Sequence, residues 1–238
     1  MGDVGLYNEE GETEKYDDYV SKWNYVMGAY DAEVAFAEKY LSKGYVCSVV
    51  DLCCGPGKVV KRISEKLKGV KEIYFIDISR KFLEIAKNQS VKSKEIYTIL
   101  GDVIDVPLPS EKADCVISSF AYHHVKDEDK AKYIQQAKKM LKVGGIIIIA
   151  ENYLTDTSDF YKFVEDDTVS VHGSDPGMIK FMRDIAKSSD TEFKVPKKFA
   201  MKQFIEAGFK LIEDRKIWPT DNRLSKDEGT FVQVWKKT

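Results

Sequence analysis

From residue 45 onward, short apolar runs alternate with longer segments whose apolar side chains recur every three or four positions. Runs of the first kind read as strands and segments of the second as helices. Residues 46–52 predict a first strand, followed by a helix to about Leu67. Residues 72–77 (EIYFID) predict a second strand, with a helix through Lys81, Phe82 and Ala86 after it. Residues 96–100 and 113–120 predict the third and fourth strands. Over 127–141, Tyr133, Ile134, Ala137, Met140 and Leu141 share one helical side, and Gly144-Gly145 predicts the stop of that helix. Residues 146–150 are apolar without alternation, as in a strand covered on both faces, so the sheet is parallel and flanked by helices.

The carboxyl end breaks the alternation. Residues 198–206 read as a helix closed by Ala207-Gly208-Phe209, with the glycine as its cap. Residues 210–218 and 230–235 follow as two strands with no helix between them, which requires antiparallel pairing. The expected architecture is therefore a doubly wound α/β fold: five parallel strands and a terminal hairpin. Two segments fall outside this core. Residues 1–43 read as a helical cap with many aromatics (Tyr16, Tyr19, Trp23, Tyr25, Tyr30, Phe36), and 152–196 as a lid-like insertion with Tyr153, Phe160, Tyr161, Phe163 and Phe181. Both are expected near the carboxyl edge of the strands, where they could cover a ligand. One domain over 1–238 is the expectation, with the binding core at 44–151 and the last helix and hairpin at 197–238.

Composition narrows the classes. Hydrophobic residues at 43% and charged residues at 32% are ordinary for a globular chain, and a net charge of −2 gives no global attraction to nucleic acid or anionic lipid. No apolar run is long enough to span a bilayer, and the acidic start MGDVGLYNEEGETEKYDD lacks the apolar segment of a signal peptide. Cys47, Cys53, Cys54 and Cys115 have no zinc-like spacing and read as free thiols of a reducing compartment, so a cytoplasmic location and no metal are expected.

The chemistry centres on Val49-Val50-Asp51-Leu52-Cys53-Cys54-Gly55-Pro56-Gly57, a strand that ends in an acid and enters a glycine turn before a helix. This arrangement lets a nucleotide-like ligand lie against bare backbone at the sheet edge; alone, it also suits a plain helix-packing turn. Val60 stands where a dinucleotide fingerprint needs its third glycine, and no Gly-Lys-Ser/Thr follows to make a P-loop. Asp51 would repel a pyrophosphate but would suit a cation.

The run resembles the first motif of the class I S-adenosylmethionine-dependent methyltransferases, V-L-D-x-G-x-G-x-G. The resemblance extends to Asp77 at the end of the second strand, Gly101-Asp102-Val103, residues 114–120 (DCVISSF), Leu141-Lys142-Val143-Gly144-Gly145, Ala207-Gly208-Phe209 and the final hairpin. It covers about residues 44–151 and 197–238. It implies a seven-stranded sheet of order 3-2-1-4-5-7-6 with the last strand antiparallel, and S-adenosylmethionine as cofactor. By the same resemblance, Asp51 anchors the donor's polar end, Gly55 and Gly57 let backbone approach it, and Asp77 accepts both ribose hydroxyls. Ile78 packs on the adenine, Asp102 takes its amino group, Val103 adds a backbone contact, and Ser119 lies beside the methionine portion. Asp102 also reads simply as a turn residue, and Ser119 as a strand-end polar residue. Cys53 replaces the usual first glycine, which predicts a residue of negative φ with its thiol near the methionine portion. Val143 replaces the usual proline.

Methyl transfer needs alignment, and a base only where the acceptor must lose a proton. His123 and His124 follow the fourth strand at the expected edge, and their ordinary pKa suits that task. His124 is the first candidate base and His123 the second; capping the next helix or packing under the lid are the other readings. His172 in the insertion is a weaker candidate. The acceptor is expected to be a small organic molecule, because N/D-P-P-Y/F and Pro-Cys motifs are missing after the fourth strand and basic excess is small. An RNA or protein acceptor, and a donor-binding module without catalysis, are the alternatives. Monomer and homodimer both stay open.

Overall fold

In the computed structural model, the described residues are 22–41, 47–89, 94–155, 192–221 and 224–238, with five isolated positions between 165 and 180. Most of the expected lid, including His172, and the part of the expected cap before residue 22 lie outside them. The elements run α1 (Asn24–Leu41), β1 (Cys47–Leu52), α2 (Lys58–Lys66), β2 (Val70–Asp77), α3 (Arg80–Gln89), β3 (Glu95–Leu100), β4 (Ala113–Ser119), α4 (Lys130–Met140), β5 (Leu141–Tyr153), α5 (Lys197–Glu206), β6 (Phe209–Trp218) and β7 (Gly229–Lys237).

The sheet has seven strands in the order β3-β2-β1-β4-β5-β7-β6, the order that the methyltransferase resemblance implied. β1 to β5 pair in parallel, and β7 runs antiparallel to both β5 and β6. Alternation along the central strands sorts their side chains to two apolar layers. Val116, Ile147 and Ile149 pack with Tyr133, Ala137 and Phe204 of α4 and α5, while Cys115, Ile117, Ile146 and Ile148 pack with Ala29, Val60 and Leu83 of α1, α2 and α3. Burial on both faces explains why β5 reads as an unbroken apolar run. Trp235 is fully buried and stacks on Phe204 with ring centroids 4.9 Å apart.

Two elements differ from the sequence reading. Helix α4 ends at Met140, and Gly144-Gly145 lies inside β5 rather than after a helix. Leu141 already pairs with Ala113, the register slips before Cys115, and Gly144 has φ 79, so the glycine pair serves a bulge rather than a helix stop. Helix α1 is also no separate cap. Ala29, Ala32, Phe36 and Ala37 are buried, and its contacts with α2 and four strands make it one layer of the core. Glu33 falls on the same stripe, one turn from Ala29 and one from Ala37, so the helix carries its carboxyl into the interior.

Candidate functional site

Strand β1 ends at Leu52, and the turn 53–57 leads into α2, whose first residue is Lys58. The turn is fixed by three backbone constraints. Cys54 N–H donates to the Ile76 carbonyl at 3.0 Å, Gly57 N–H to the Cys54 carbonyl at 2.9 Å, and Gly55 N–H to Asp77 Oδ2 at 2.9 Å. The expectation for Cys53 is corrected here: its φ is 54, in the left-handed region, because the turn needs that conformation even without the usual glycine. The two glycines that follow do different work. A Cβ on Gly57 (φ 74) would come within 2.9 Å of both Ala86 Cβ and the Phe75 ring, whereas one on Gly55 (φ 49) would meet nothing within 4 Å. Gly57 lets the helix pack; Gly55 faces open space.

Acidic groups surround that space. Asp77 ends β2 and is 7% exposed; besides Gly55, its carboxylate accepts the Ser79 N–H at 2.8 Å through Oδ1. Asp51, 3% exposed, has its carboxyl pushed well above the usual carboxylate range by burial first, then by Glu33 and Asp77. Burial also raises the Asp77 carboxyl, against the pull of its backbone donors and of His124. Glu33 is wholly buried; its Oε2 accepts the Ser119 hydroxyl at 2.9 Å, and burial pushes its pKa up to about 8. Among the described residues, no lysine or arginine makes a side-chain ion pair with Asp51, Asp77 or Glu33. The Cys53 thiol is pushed well up by burial and then by Asp77, Asp102 and Asp51, so it stays protonated. All four cysteines are free.

Asp102 follows β3, and its Oδ1 accepts the Ile104 N–H at 3.0 Å, so it does shape its own turn. Val103 is buried beside it, and Ile78 is half-buried next to Asp77. Together these residues extend the acidic edge from β1 to β3. Ser119 lies on the other side, at the end of β4.

Beyond β4 the chain passes through Phe120, whose φ of 52 is costly for a bulky residue, into a single 3₁₀ turn at Tyr122–His124. Lys130 holds this turn from within. Its buried ammonium donates to the Tyr122 and Val125 carbonyls and lies 4.7 Å from the centre of the Tyr122 ring. His123 is buried, with Nδ1 2.5 Å from Glu151 Oε1, and its backbone N–H donates to Glu151 Oε2 at 3.0 Å. Burial drives the His123 pKa well down, with His124 next in effect, and raises Glu151 to about 7. His124 packs against His123 with ring centroids 4.1 Å apart and keeps 28% of its side chain exposed. Glu192 approaches both rings, 3.6 Å from His123 Nε2 and 3.7 Å from His124 Nδ1, and pairs with Lys194. His123, His124 and Glu192 each offer a metal-ligand atom within 4.8 Å of the others, but the Lys194 ammonium already balances that carboxylate.

The sequence reading missed Glu33, Glu151 and Glu192. A signal existed for the first two: an acid on the apolar stripe of α1, and an acid directly after the apolar run of β5. Nothing in the sequence brought Glu192 to the histidines. A separate surface hollow, lined by Tyr40, Asp114 and Lys142, sits at the opposite edge, where β5 begins and Lys142 pairs with Asp114.

Acids at the ends of consecutive parallel strands, an open glycine turn and a β7 strand inserted between β5 and β6 define the fold of class I methyltransferases. Residues 49–145 match the methyltransferase domain family. Curated relatives include an uncharacterized methyltransferase of Geobacillus sp. (strain WCH70), 27% identical over 118 residues, or 50% of this chain and 53% of that protein. Another, from Bacillus cytotoxicus, is 28% identical over 166 residues, or 68% of this chain and 72% of its own length. The chain thus spans about half the length of the first of these relatives. Among solved structures, a chain of the complex between the Haloferax volcanii Trm112 methyltransferase activator and "the putative methyltransferase" aligns with TM-score 0.65 and 17% identity, covering 99% of this chain and 98% of that one. Burkholderia thailandensis 1,6-didemethyltoxoflavin-N1-methyltransferase, solved with 1,6-didemethyltoxoflavin and S-adenosylhomocysteine bound, aligns with TM-score 0.61 and 13% identity over 94% of this chain and 83% of that one.

Proposed function

We propose that the protein is an S-adenosylmethionine-dependent methyltransferase acting on a small organic acceptor. The observation that carries this reading is the pair Asp51 and Asp77, both buried at the ends of β1 and β2 beside the open side of Gly55 and without a lysine or arginine ion pair among the described residues. Two buried acids repel each other and any phosphate, and gain from a cationic, phosphate-free ligand. Asp77 would hold the ribose diol, with Ile78, Asp102 and Val103 around the adenine. The amino-acid end would then extend past Asp51 toward Ser119 on β4.

The cofactor, when bound, supplies the electrophilic methyl group and its own leaving group. The residues of this chain align and shelter that group, which is the larger part of the catalytic effect in an in-line displacement. His124 would take the acceptor's proton where one must be lost as the methyl group is displaced from sulfur. His124 is the base of choice because it is the more exposed ring and acts electrostatically on Asp77. Glu151 fixes His123, and the pair of rings holds His124 in place.

A small acceptor fits the slight net charge, the aromatic-rich sequence at 152–196 and the toxoflavin-type substrate of one structural neighbour. A macromolecular acceptor is the second reading, favoured by the neighbour solved with a methyltransferase activator. No described helix is long and apolar enough to cross a membrane. With four free thiols, the cytoplasm is the location we propose. Calorimetric titration tests the donor assignment. S-adenosylhomocysteine should bind with a 1:1 stoichiometry and NAD should not; the reverse would refute it.

A further inference from the structure

We infer that Glu33 is a donor-binding residue: its interior carboxylate receives the ammonium of the donor's amino-acid end, which makes helix α1 a wall of the cofactor pocket. The inference rests on the donor reading above and adds a residue that neither the glycine turn nor the strand-end acids supply.

Three observations lead there. Glu33 reaches the carboxyl edge from α1, where Oε2 accepts the Ser119 hydroxyl at 2.9 Å at the end of β4. Its other oxygen, Oε1, is buried and has no hydrogen-bond partner among the described residues. A buried acceptor left unmatched costs on the order of 1–3 kcal/mol, so its persistence on an otherwise apolar helix face calls for an occupant. The groups around it are acids or neutral donors: Asp51 on β1, with Asp77 beyond it on β2, and Ser119 and Cys115 on β4. What this corner lacks is a cation that can donate hydrogen bonds.

The donor carries two positive groups, and only one fits. A sulfonium has no N–H or O–H and cannot satisfy Oε1. An ammonium has three donors, enough for Glu33 Oε1, the nearby Asp51 carboxylate and a third acceptor. Direction agrees as well. With the ribose on Asp77 of β2 and the adenine toward Asp102 after β3, the amino-acid end must run the other way, across β1 to β4. There it meets Ser119 and Glu33.

The test compares S-adenosylhomocysteine with 5′-methylthioadenosine, which has the same nucleoside but no ammonium or carboxylate, on the full chain and on Glu33→Gln. In the variant, S-adenosylhomocysteine should bind roughly 10- to 100-fold more weakly, while 5′-methylthioadenosine changes less than about threefold. The melting temperature of the unliganded variant should hold or rise, since an unmatched buried acid has been removed. Unchanged affinity for S-adenosylhomocysteine, or an equal loss for both ligands, would overturn the assignment. If the wild-type chain binds neither ligand, the donor reading fails and takes this inference with it. A second measurement needs no variant. In wild type at neutral pH, binding heats taken in buffers of different ionisation enthalpy should show more proton release with S-adenosylhomocysteine than with 5′-methylthioadenosine; equal release would count against Glu33.

Discussion

Glu151 grips His123 at two points, taking the backbone N–H through one carboxylate oxygen and meeting ring Nδ1 at 2.5 Å with the other. A third bond, from Asn152 N–H at 2.6 Å, fixes the carboxylate itself. The His123 ring is therefore held in place from two sides, and His124 packs tilted at 51° against that rigid neighbour. Glu151→Gln removes the charge and keeps the shape. It should lower kcat by about tenfold or more while leaving KM for the donor within about twofold, as measured by steady-state kinetics once an acceptor is found. A matching rise in donor KM would instead make Glu151 part of the donor site.

His124→Ala should slow transfer by about two orders of magnitude if the ring takes the acceptor's proton. S-adenosylhomocysteine affinity should stay near wild type. A full rate with saturating acceptor would reduce His124 to packing.

The two turn glycines should separate on substitution. Gly57→Ala places a methyl group 2.9 Å from Ala86 and Phe75 in a left-handed residue, so it should destabilise the fold by about 1–3 kcal/mol in urea unfolding. Gly55→Ala has open space and should cost only the backbone strain, about 1–2 kcal/mol. Its methyl group projects where the donor should lie, so S-adenosylhomocysteine binding should fall far more than stability does.

Stability should decline with rising pH across the neutral range. Glu33 and Glu151 are raised from 4.5 to about 8 and about 7, so the folded chain holds protons that the unfolded chain has released. Their stabilising effect is complete below about pH 4.5 and is lost as pH climbs through 7 and 8. Chemical denaturation at several pH values should show this slope in the ligand-free protein, and Glu33→Gln should flatten its upper part. A wild-type profile that rises from pH 6 to 8 would contradict the burial of these acids.

How far the sequence reaches can be argued from particular residues. The strands, the antiparallel terminal hairpin and the turn after β1 were legible because apolar runs and glycines carry local, periodic information, whereas the strand order came only with the resemblance to class I methyltransferases. The conformation of Cys53 was not, because the turn's closing bonds to Ile76 and Asp77 come from another strand and override the residue's own preference. The end of α4 was misplaced for a related reason: Gly144 reads as a helix stop in isolation and as a bulge once β4 pairs beside it. Of the site, Asp51, Asp77 and the histidines stand on strand ends that the pattern locates. Glu33 and Glu192 reach it from segments 86 and 69 residues away from the groups they meet, Ser119 and His123, and only the packed sheet brings them in.

A crystal structure with S-adenosylhomocysteine bound tests the central claim most directly. The account predicts both ribose hydroxyls on the Asp77 carboxylate and the ammonium between Asp51 and Glu33, with Gly55 against the ligand. A ligand lying elsewhere, or one whose amino-acid end points toward β3, would contradict it.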